Sequence, residues 1–122
     1  MKSKNRLSSF IAAFSGLFRA IKQERNFQIH LAITVVVLAS ALFFRISTSE
    51  WLIILFCIST VLVAELLNTA IERCVDYISL DYSEQAKTIK DFAAAAVLVS
   101  ALCSALIASI IFYPKCSALL LG

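Results

Sequence analysis

The stretch WLIILFCISTVLVAELLNTAIERCVD, residues 51–76, decides the fold of this chain. Residues 51–64 carry no charge, and Glu65 follows them directly. A helix needs about 20 apolar residues to cross a bilayer, and an ionisable residue within such a helix is costly and typically marks a functional site. We therefore predict a membrane span over residues 51–71 with an acidic site near its end.

The composition places the whole chain among membrane proteins. Of its 122 residues, 61% are hydrophobic and 16% are charged, with a mean hydropathy of +0.89, whereas soluble domains carry about 25% charged residues. Residues 27–45 and 92–113 are long enough for two further spans, although the first is marginal because it must include His30, expected to be an interface residue. The predicted fold is all-α, a single membrane domain over residues 1–122, with Pro114 ending the third span.

An amphipathic helix is predicted ahead of the spans, over residues 7–24. Apolar residues recur there at helical spacing: Leu7, Phe10, Ile11, Phe14, Leu17, Phe18 and Ile21. Basic residues flank this stripe, so we expect a helix at the membrane surface, with packing against the protein's own spans as the alternative. A secretory signal peptide is a rival interpretation, but no uninterrupted apolar run occurs before Arg19.

Lysine and arginine positions predict the orientation of the spans. Nine of the 11 basic residues precede the first span or follow the second: Lys2, Lys4, Arg6, Arg19, Lys22, Arg25, Arg73, Lys87 and Lys90. The other two, Arg45 and Lys115, fall on the opposite side. Because cytoplasmic loops carry an excess of basic residues, the N-terminus and the long loop should face the cytoplasm, with the C-terminus outside.

Four polar residues form what we term the acid stripe of the second predicted span: Glu65, Asn68, Glu72 and Asp76. At 100° per residue they fall within roughly 80° of the helix circumference, over about 16 Å. The inner ends of the other spans bring Glu24, Lys90 and Asp91 to a similar depth. Carboxylates suit Mg²⁺ and a lysine suits phosphate, so the pattern indicates a metal-and-acid site that can handle phosphate.

Several common sites are excluded by the composition. The only glycines are Gly16 and Gly122, so the chain has no glycine-rich phosphate loop. The four cysteines, at positions 57, 74, 103 and 116, lack metal-ligand spacing and are expected to be structural. A single histidine excludes a histidine-rich zinc site. No nucleic-acid partner is expected.

The acid stripe lies within a longer pattern, ELLNTAIERCVD at residues 65–76, which resembles the signature of the bacterial diacylglycerol kinase family. The sequence KDFAAAAVL at residues 90–98 resembles the second block of that family, and residues 16–27, which include Glu24, fit its N-terminal block. The resemblance covers residues 15–113. It implies a lipid kinase of the bacterial inner membrane, which uses ATP and works as a homotrimer with sites at subunit interfaces on the cytoplasmic side.

The resemblance implies catalytic roles for three residues. Glu65 would act as the general base toward the lipid hydroxyl, Asn68 would orient the base or the phosphates, and Lys90 would neutralise developing charge. Phosphoryl transfer asks a protein mainly for positioning and charge neutralisation, which these residue types supply. Because a lipid alcohol stays in the bilayer, its base must lie just inside the apolar boundary.

The resemblance also implies binding roles around the nucleotide. Glu24 and Glu72 would hold Mg²⁺ against the phosphates of ATP. Asp76 and Asp91 would support the nucleotide or Lys90, which itself would contact the phosphates. By spacing alone, each of these carboxylates could be an ordinary interface charge.

The lipid acceptor stays open between diacylglycerol and undecaprenol. The sequences ERNFQIH at residues 24–30 and KTIKD at residues 87–91 are more similar to the undecaprenol kinase branch of the family. Outside this family, Glu65 could serve as a proton or cation relay in a small transporter or channel subunit, and a purely structural subunit is a weaker idea. Three spans leave little room to bury the acid stripe, so we expect self-association.

Overall fold

The computed structural model describes residues 5–122 and consists of four helices joined by short connections. They are α1 (Arg6–Gln23), α2 (Arg25–Phe44), α3 (Thr48–Ile78) and α4 (Glu84–Leu121). By length and composition, α2, α3 and α4 can each cross a membrane. The prediction of an all-α chain with three candidate spans is confirmed. Lys2 and Lys4, which contribute to the predicted orientation, lie outside the described residues.

Helix α1 has a defined cap at each end. The Asn5 side chain accepts a hydrogen bond from the Ser8 amide at 2.8 Å, and the Asn5 amide donates to Ser8 Oγ, which completes a capping box. Glu24 adopts extended backbone and ends α1 immediately before α2, so it is the joint between the two helices. The apolar stripe of α1 remains exposed within the described chain, with 64% of Phe10 and 68% of Phe14 accessible.

The connection between α2 and α3 is a tight turn. Arg45 ends α2 with left-handed backbone at φ 50° and ψ 56°, a conformation that commonly terminates helices. Ser47 Oγ then accepts a hydrogen bond from the Glu50 amide at 3.2 Å, while the Ser47 amide donates to Glu50 Oε1 at 3.0 Å. Lys115 Nζ on α4 lies 2.9 Å from Glu50 Oε2, so the cap of α3 also connects α3 to α4.

The apolar core lies beside this turn. It centres on four buried residues: Ala41, Ile46, Ile54 and Ile111. Partly buried side chains from three helices pack around them, among them Phe44 and Phe112, whose ring centroids are 6.1 Å apart. α3 is the central helix, because it packs along both α2 and α4, whereas α1 contacts α2. The tightest apolar packing therefore lies at the end of the bundle opposite to the acid stripe.

Helices α3 and α4 extend beyond the predicted spans. At 1.5 Å per residue they are about 46 Å and about 57 Å long, against a hydrocarbon core of about 30 Å. The predicted boundaries at residues 71 and 92 mark only the apolar part of each helix, since α3 continues to Ile78 and α4 begins at Glu84. Ser83 caps α4 by accepting a hydrogen bond from the Ala86 amide at 3.0 Å. Polar turns of both helices thus project from the apolar segment toward the same loop.

The predicted helix stop at Pro114 is wrong, because α4 continues through it to Leu121, while the end of the third span within this helix stays a prediction. A proline inside a helix removes one backbone N–H and crowds the preceding turn, at a cost of about 3 kcal/mol. The ion pair of Lys115 with Glu50 holds the residue after the proline against α3. Membrane helices tolerate proline where neighbouring groups or water satisfy the freed carbonyl, which a helix end near the interface allows.

Removing the cap of α3 should destabilise the fold. In Ser47→Ala the Glu50 amide loses its acceptor, and we expect the free energy of unfolding to fall by about 1 kcal/mol. Thermal unfolding in detergent micelles, followed by circular dichroism, would show a lower midpoint. Ser49→Ala is the matched control, since the exposed hydroxyl of Ser49 is not part of the capping box. Equal midpoints for the two variants would contradict the prediction.

Candidate functional site

Glu65 lies in the interior of the helical bundle. Only 2% of it is exposed, and it is the one buried charged residue within residues 5–122. Its Oε2 lies 3.6 Å from Nε2 of His30 on α2, whose side chain is 20% exposed. This distance is too long for a direct hydrogen bond, but it is short enough for an ion pair when the imidazole of His30 carries a proton on both nitrogens.

Asn68 is the second buried polar residue, 5% exposed, and it lies almost one helical turn beyond Glu65 on α3. Its Nδ2 donates a hydrogen bond to Glu72 Oε1 at 3.2 Å. Its Oδ1 is buried and has no hydrogen-bond partner within residues 5–122. A buried acceptor without a donor is costly, and such an oxygen in a folded protein calls for a ligand, an ion or water.

Two further carboxylates, those of Glu24 and Glu72, lie within electrostatic range of the buried Glu65. Glu24 comes from the α1–α2 joint and accepts a hydrogen bond from the Arg73 guanidinium in an ion pair, which connects the joint to α3. Carboxylates that share a site repel one another unless cations neutralise them. The cluster therefore has the charge to attract a cation in addition to Arg73.

A second group of charges lies nearer the loop between α3 and α4. Lys90 Nζ is 2.6 Å from Asp76 Oδ1, and Lys87 Nζ is 2.6 Å from Asp91 Oδ2. These side chains are between 38% and 62% exposed, so they are accessible to water, unlike Glu65. They line a cavity of about 420 Å³ together with residues of the loop, including Tyr82.

The structure brings some of the predicted site residues together and separates others. The acid stripe occupies α3 as predicted, with its first two members buried and Glu24 within range of Glu65. Lys90 binds the exposed last member of the stripe rather than the buried ones. Asp91, predicted to support the nucleotide or Lys90, pairs with Lys87 instead of Lys90. The catalytic and binding roles of these residues stay predictions.

Two residues have contacts that the sequence analysis underestimates. His30 is expected there to be an interface residue, whereas it faces the buried Glu65. Arg73 is considered there only as one of the basic residues that predict the orientation, whereas in the structure it forms an ion pair with Glu24. The signal for His30 is its place inside an apolar span, where an ionisable residue is rare. No comparable signal exists for Arg73, because its pairing depends on how α1 and α2 meet α3.

The available donors fit a hard cation that is shared with phosphates. Within residues 5–122, no group of three or more His, Cys, Asp or Glu side chains is arranged to hold a metal alone. Mg²⁺ bound with a nucleotide, however, usually takes one or two protein carboxylates and completes its shell with phosphate oxygens and water. Glu24 and Glu72 supply such carboxylates. Asn68, which donates a hydrogen bond to Glu72, adds an amide oxygen that has no partner within residues 5–122.

Comparison with known proteins identifies the family. Residues 11–112 match the family model described as prokaryotic diacylglycerol kinase. The chain is 43% identical over 107 residues to an undecaprenol kinase of Bacillus subtilis, a match covering 88% of this chain and 87% of the relative. It is 34% identical over 111 residues to a diacylglycerol kinase of Synechocystis, covering 90% of this chain and 63% of the relative. A diacylglycerol kinase of Pseudomonas aeruginosa is 33% identical over 94 residues, with coverages of 77% and 71%.

Fold and site together define a helical membrane protein with a buried acid near one end of its bundle. The chain belongs to the prokaryotic diacylglycerol kinase family and is a lipid kinase. The resemblance in the sequence motifs is thus confirmed, and the match to an undecaprenol kinase supports that branch. The ion-relay hypothesis for Glu65 is correspondingly disfavoured.

A negative charge added at Asn68 should be poorly tolerated. In Asn68→Asp a carboxylate would replace a buried amide between Glu65 and Glu72, and we expect the free energy of unfolding to fall by roughly 2–4 kcal/mol. Thermal unfolding in micelles measures the effect. Cys74→Asp adds the same charge to an exposed position of α3 and should change the midpoint little. Equal unfolding midpoints for the two variants would show that the polar cluster around Asn68 is less buried than described.

Proposed function

We propose that this protein phosphorylates a membrane lipid alcohol with ATP and Mg²⁺, with undecaprenol as its acceptor in preference to diacylglycerol. The observation that carries the proposal is the buried Glu65 carboxylate at the polar end of an apolar bundle, in a chain of a lipid kinase family. The acceptor preference is supported by the identity of 43% to a protein named undecaprenol kinase, against 34% and 33% to two named diacylglycerol kinases.

Glu65 acts as the general base in the proposed reaction. The lipid hydroxyl oxygen attacks the γ-phosphorus of ATP, its proton passes to the Glu65 carboxylate, and the bond between the γ-phosphorus and the bridging oxygen breaks to release ADP. A lipid monophosphate is the other product. Burial of Glu65 suits this role, because water that reached the carboxylate would compete with the lipid as acceptor.

The neighbouring residues bind and orient the nucleotide in this proposal. Mg²⁺, when bound with ATP, neutralises part of the phosphate charge. Glu24 and Glu72 would hold the cation, and Glu24 would then no longer be paired with Arg73. Asn68 Oδ1, which has no partner within residues 5–122, would be a further oxygen for the cation or for a hydrogen-bond donor.

The loop-side charges complete the proposed nucleotide site. Lys90 neutralises charge that develops on the transferred phosphoryl group. Asp76 holds the Lys90 ammonium, which the 2.6 Å contact between the two side chains supports. Asp91 supports the nucleotide site indirectly, through its ion pair with Lys87. The exposure of these groups suits a nucleotide that arrives from water.

The proposed membrane placement puts this site on the cytoplasmic side of a bacterial inner membrane. The exposed apolar stripe of α1 and its basic flanks suit a helix at the cytoplasmic surface. A homotrimer would cover part of the exposed apolar surface of α2 and α4 and bring the loop-side charges of one subunit to the acids of another.

Lipid kinase assays with paired substrates test the proposed function. Purified protein in mixed micelles would receive labelled ATP with undecaprenol or with diacylglycerol. We expect a higher kcat/KM for undecaprenol, and a loss of roughly 100-fold or more in kcat for Glu65→Gln, since removing a general base typically costs 10²–10⁴-fold. Glu50→Gln is the matched control, because Glu50 lies at the opposite end of α3.

Two outcomes would contradict the proposal. The first is the absence of any phosphorylated lipid from either acceptor. The second is a Glu65→Gln variant with the kinetics of the parent while the protein remains folded by circular dichroism. A preference for diacylglycerol would leave the lipid kinase in place and overturn the proposed acceptor.

Mixing two inactive variants tests the proposed sharing of sites between subunits. If Lys90 of one subunit serves Glu65 of another, then Glu65→Gln and Lys90→Ala, each inactive alone, should regain activity when unfolded together and refolded as mixed oligomers. Each variant refolded alone is the control. A fully active monomer in light scattering would contradict the predicted homotrimer.

A further inference from the structure

The Glu65 carboxyl group is the most enclosed charged group within residues 5–122. Its side chain is 3% exposed, whereas those of Glu24 and Arg73 are 25% and 54% exposed. In the proposed reaction the carboxylate accepts the proton of the lipid hydroxyl, so it must lose that proton before the next turnover. A carboxyl group shielded from water needs a neighbouring side chain that can take the proton.

His30 has the position that such a neighbour requires. It is the one basic side chain within ion-pair distance of Glu65 among residues 5–122, with 3.6 Å between Nε2 and Oε2. Its side chain is 20% exposed, so it lies between the buried acid and the surface of the bundle. Along α2 it lies three residues, about 4.5 Å, inside the predicted start of the first span at residue 27. A long polar side chain at this depth can reach the aqueous boundary.

The two other carboxylates near Glu65 are poorly placed to take its proton. Glu72 on α3 and Glu24 at the α1–α2 joint act on Glu65 through their charges. Glu72 accepts a hydrogen bond from Asn68, and Glu24 is paired with Arg73. In the proposed reaction both carboxylates would hold the cation, which leaves them little basicity for a proton.

The helices packed against His30 offer no competing group either. The described α4 residues that line a cavity together with His30 do not titrate: Ala101, Leu102, Ser104, Ala105 and Ala108. On α3 the thiol of Cys57 lines the same cavity, but Cys57 precedes Glu65 by about 12 Å along the helix. The imidazole of His30 is therefore the group best placed to exchange a proton with Glu65.

We propose that His30 is the proton exit of the site: it takes the proton that Glu65 receives from the lipid hydroxyl and passes it to water. The inference rests on the proposed function, in which Glu65 is the general base. The O–H bond of the Glu65 carboxyl group breaks as the proton binds the free lone pair of Nε2, which gives an imidazolium beside a carboxylate. Nδ1 then releases its proton to water, and proton exchange at the exposed ring restores the starting tautomer. One proton leaves for each phosphoryl group transferred.

The chemistry and the distance both suit this role. Histidine is the side chain that gains and loses protons most readily near neutral pH. The 3.6 Å between Nε2 and Oε2 must shorten to about 3 Å for the transfer, and hydrogen bonds in active sites commonly tighten when substrate binds. The imidazolium and carboxylate formed by the transfer are the ion pair that this distance allows. His30 acts through Glu65 and touches no substrate in this role.

Chemical rescue tests the proton exit. His30→Ala opens a space beside Glu65, and we expect kcat for undecaprenol to fall roughly 10-fold at an unchanged KM for ATP. Imidazole added to the assay should restore most of the kcat, because it can enter the space and carry the proton. Pyrazole has nearly the same shape but is a far weaker base, so it should restore none. Equal rescue by the two molecules, or rescue by neither, would overturn the proton exit.

A second variant at the same position separates proton transfer from packing. His30→Gln keeps an N–H donor of similar size but cannot carry a proton, so its kcat should be as low as that of His30→Ala. A kcat near that of the parent would overturn the proposal. Thr34→Val is the matched control, because Thr34 lines the same cavity one turn further along α2. Its kcat should stay within about 2-fold of the parent and should not respond to imidazole. Circular dichroism checks that each variant is folded.

Magnetic resonance of the histidine ring gives a measurement without turnover. His30 is the only histidine of the chain, so protein with isotope-labelled histidine and no histidine tag gives the signals of this ring alone. At one pH near neutrality, Glu65→Gln should contain a smaller fraction of imidazolium than the parent, because a nearby carboxylate favours the charged ring. Glu50→Gln, at the opposite end of α3, should leave the fraction unchanged. Equal fractions in the parent and Glu65→Gln would overturn the proton exit.

These experiments distinguish failure of the proton exit from failure of the proposed function. If the parent phosphorylates undecaprenol and His30→Ala has the kcat of the parent, the lipid kinase stands and the proton exit is overturned. If the parent phosphorylates no lipid, the proposed function fails and the proton exit fails with it, whatever the ring signals show.

Discussion

The burial of the Glu65 carboxylate is the constraint on which the rest of the structure depends. Moving an ionised carboxylate out of water costs several kcal/mol even after relaxation, so the surrounding residues must compensate for it. His30 faces it from α2, and the polar members of the acid stripe follow it on α3. A chain selected for stability alone would place an apolar residue here. In the proposed reaction the acid has a function at this depth, because an alcohol anchored in the bilayer can be deprotonated only by a base at the depth of its hydroxyl.

One end of the bundle stabilises the fold, and the other end carries the polar groups of the candidate site. Beside the α2–α3 turn, the capping box of α3, the Glu50–Lys115 ion pair and the buried apolar cluster fix three helices against one another. At the other end, α3 and α4 carry unsatisfied or exchangeable polar groups, such as the Oδ1 of Asn68 and the guanidinium of Arg73. The proposed nucleotide site would need polar groups that can exchange partners when the nucleotide binds and leaves, and the packed apolar end allows such groups without loss of the fold.

The number of helices and the acid stripe could be predicted from sequence because both rest on local periodicity. Uncharged runs give the spans, and a spacing of three or four residues puts Glu65 and Asn68 on one face of α3 whatever the helix packs against. The ends of the helices are harder to predict, since hydropathy does not detect capped polar turns. Pro114 favours a helix end locally, yet α4 continues through it. The pairings of His30 with Glu65 and of Arg73 with Glu24 depend on how separate helices meet, which no single helical period encodes.

A single face of α3 can serve both substrates in the proposed reaction. Along that face, Cys57 and Val61 line an apolar cavity between α2, α3 and α4, Glu65 and Asn68 are buried, and Asp76 contacts Lys90 beside the loop. A lipid chain can approach from the apolar side and a nucleotide from the aqueous side, so that their reacting groups meet near Glu65. Both substrates would contact one continuous helix of about 46 Å. The distance between their reacting groups is therefore set by the helix backbone rather than by a mobile loop. This explains how a chain of 122 residues with only two glycines can dispense with a glycine-rich phosphate loop: the helix itself does the positioning that phosphoryl transfer requires.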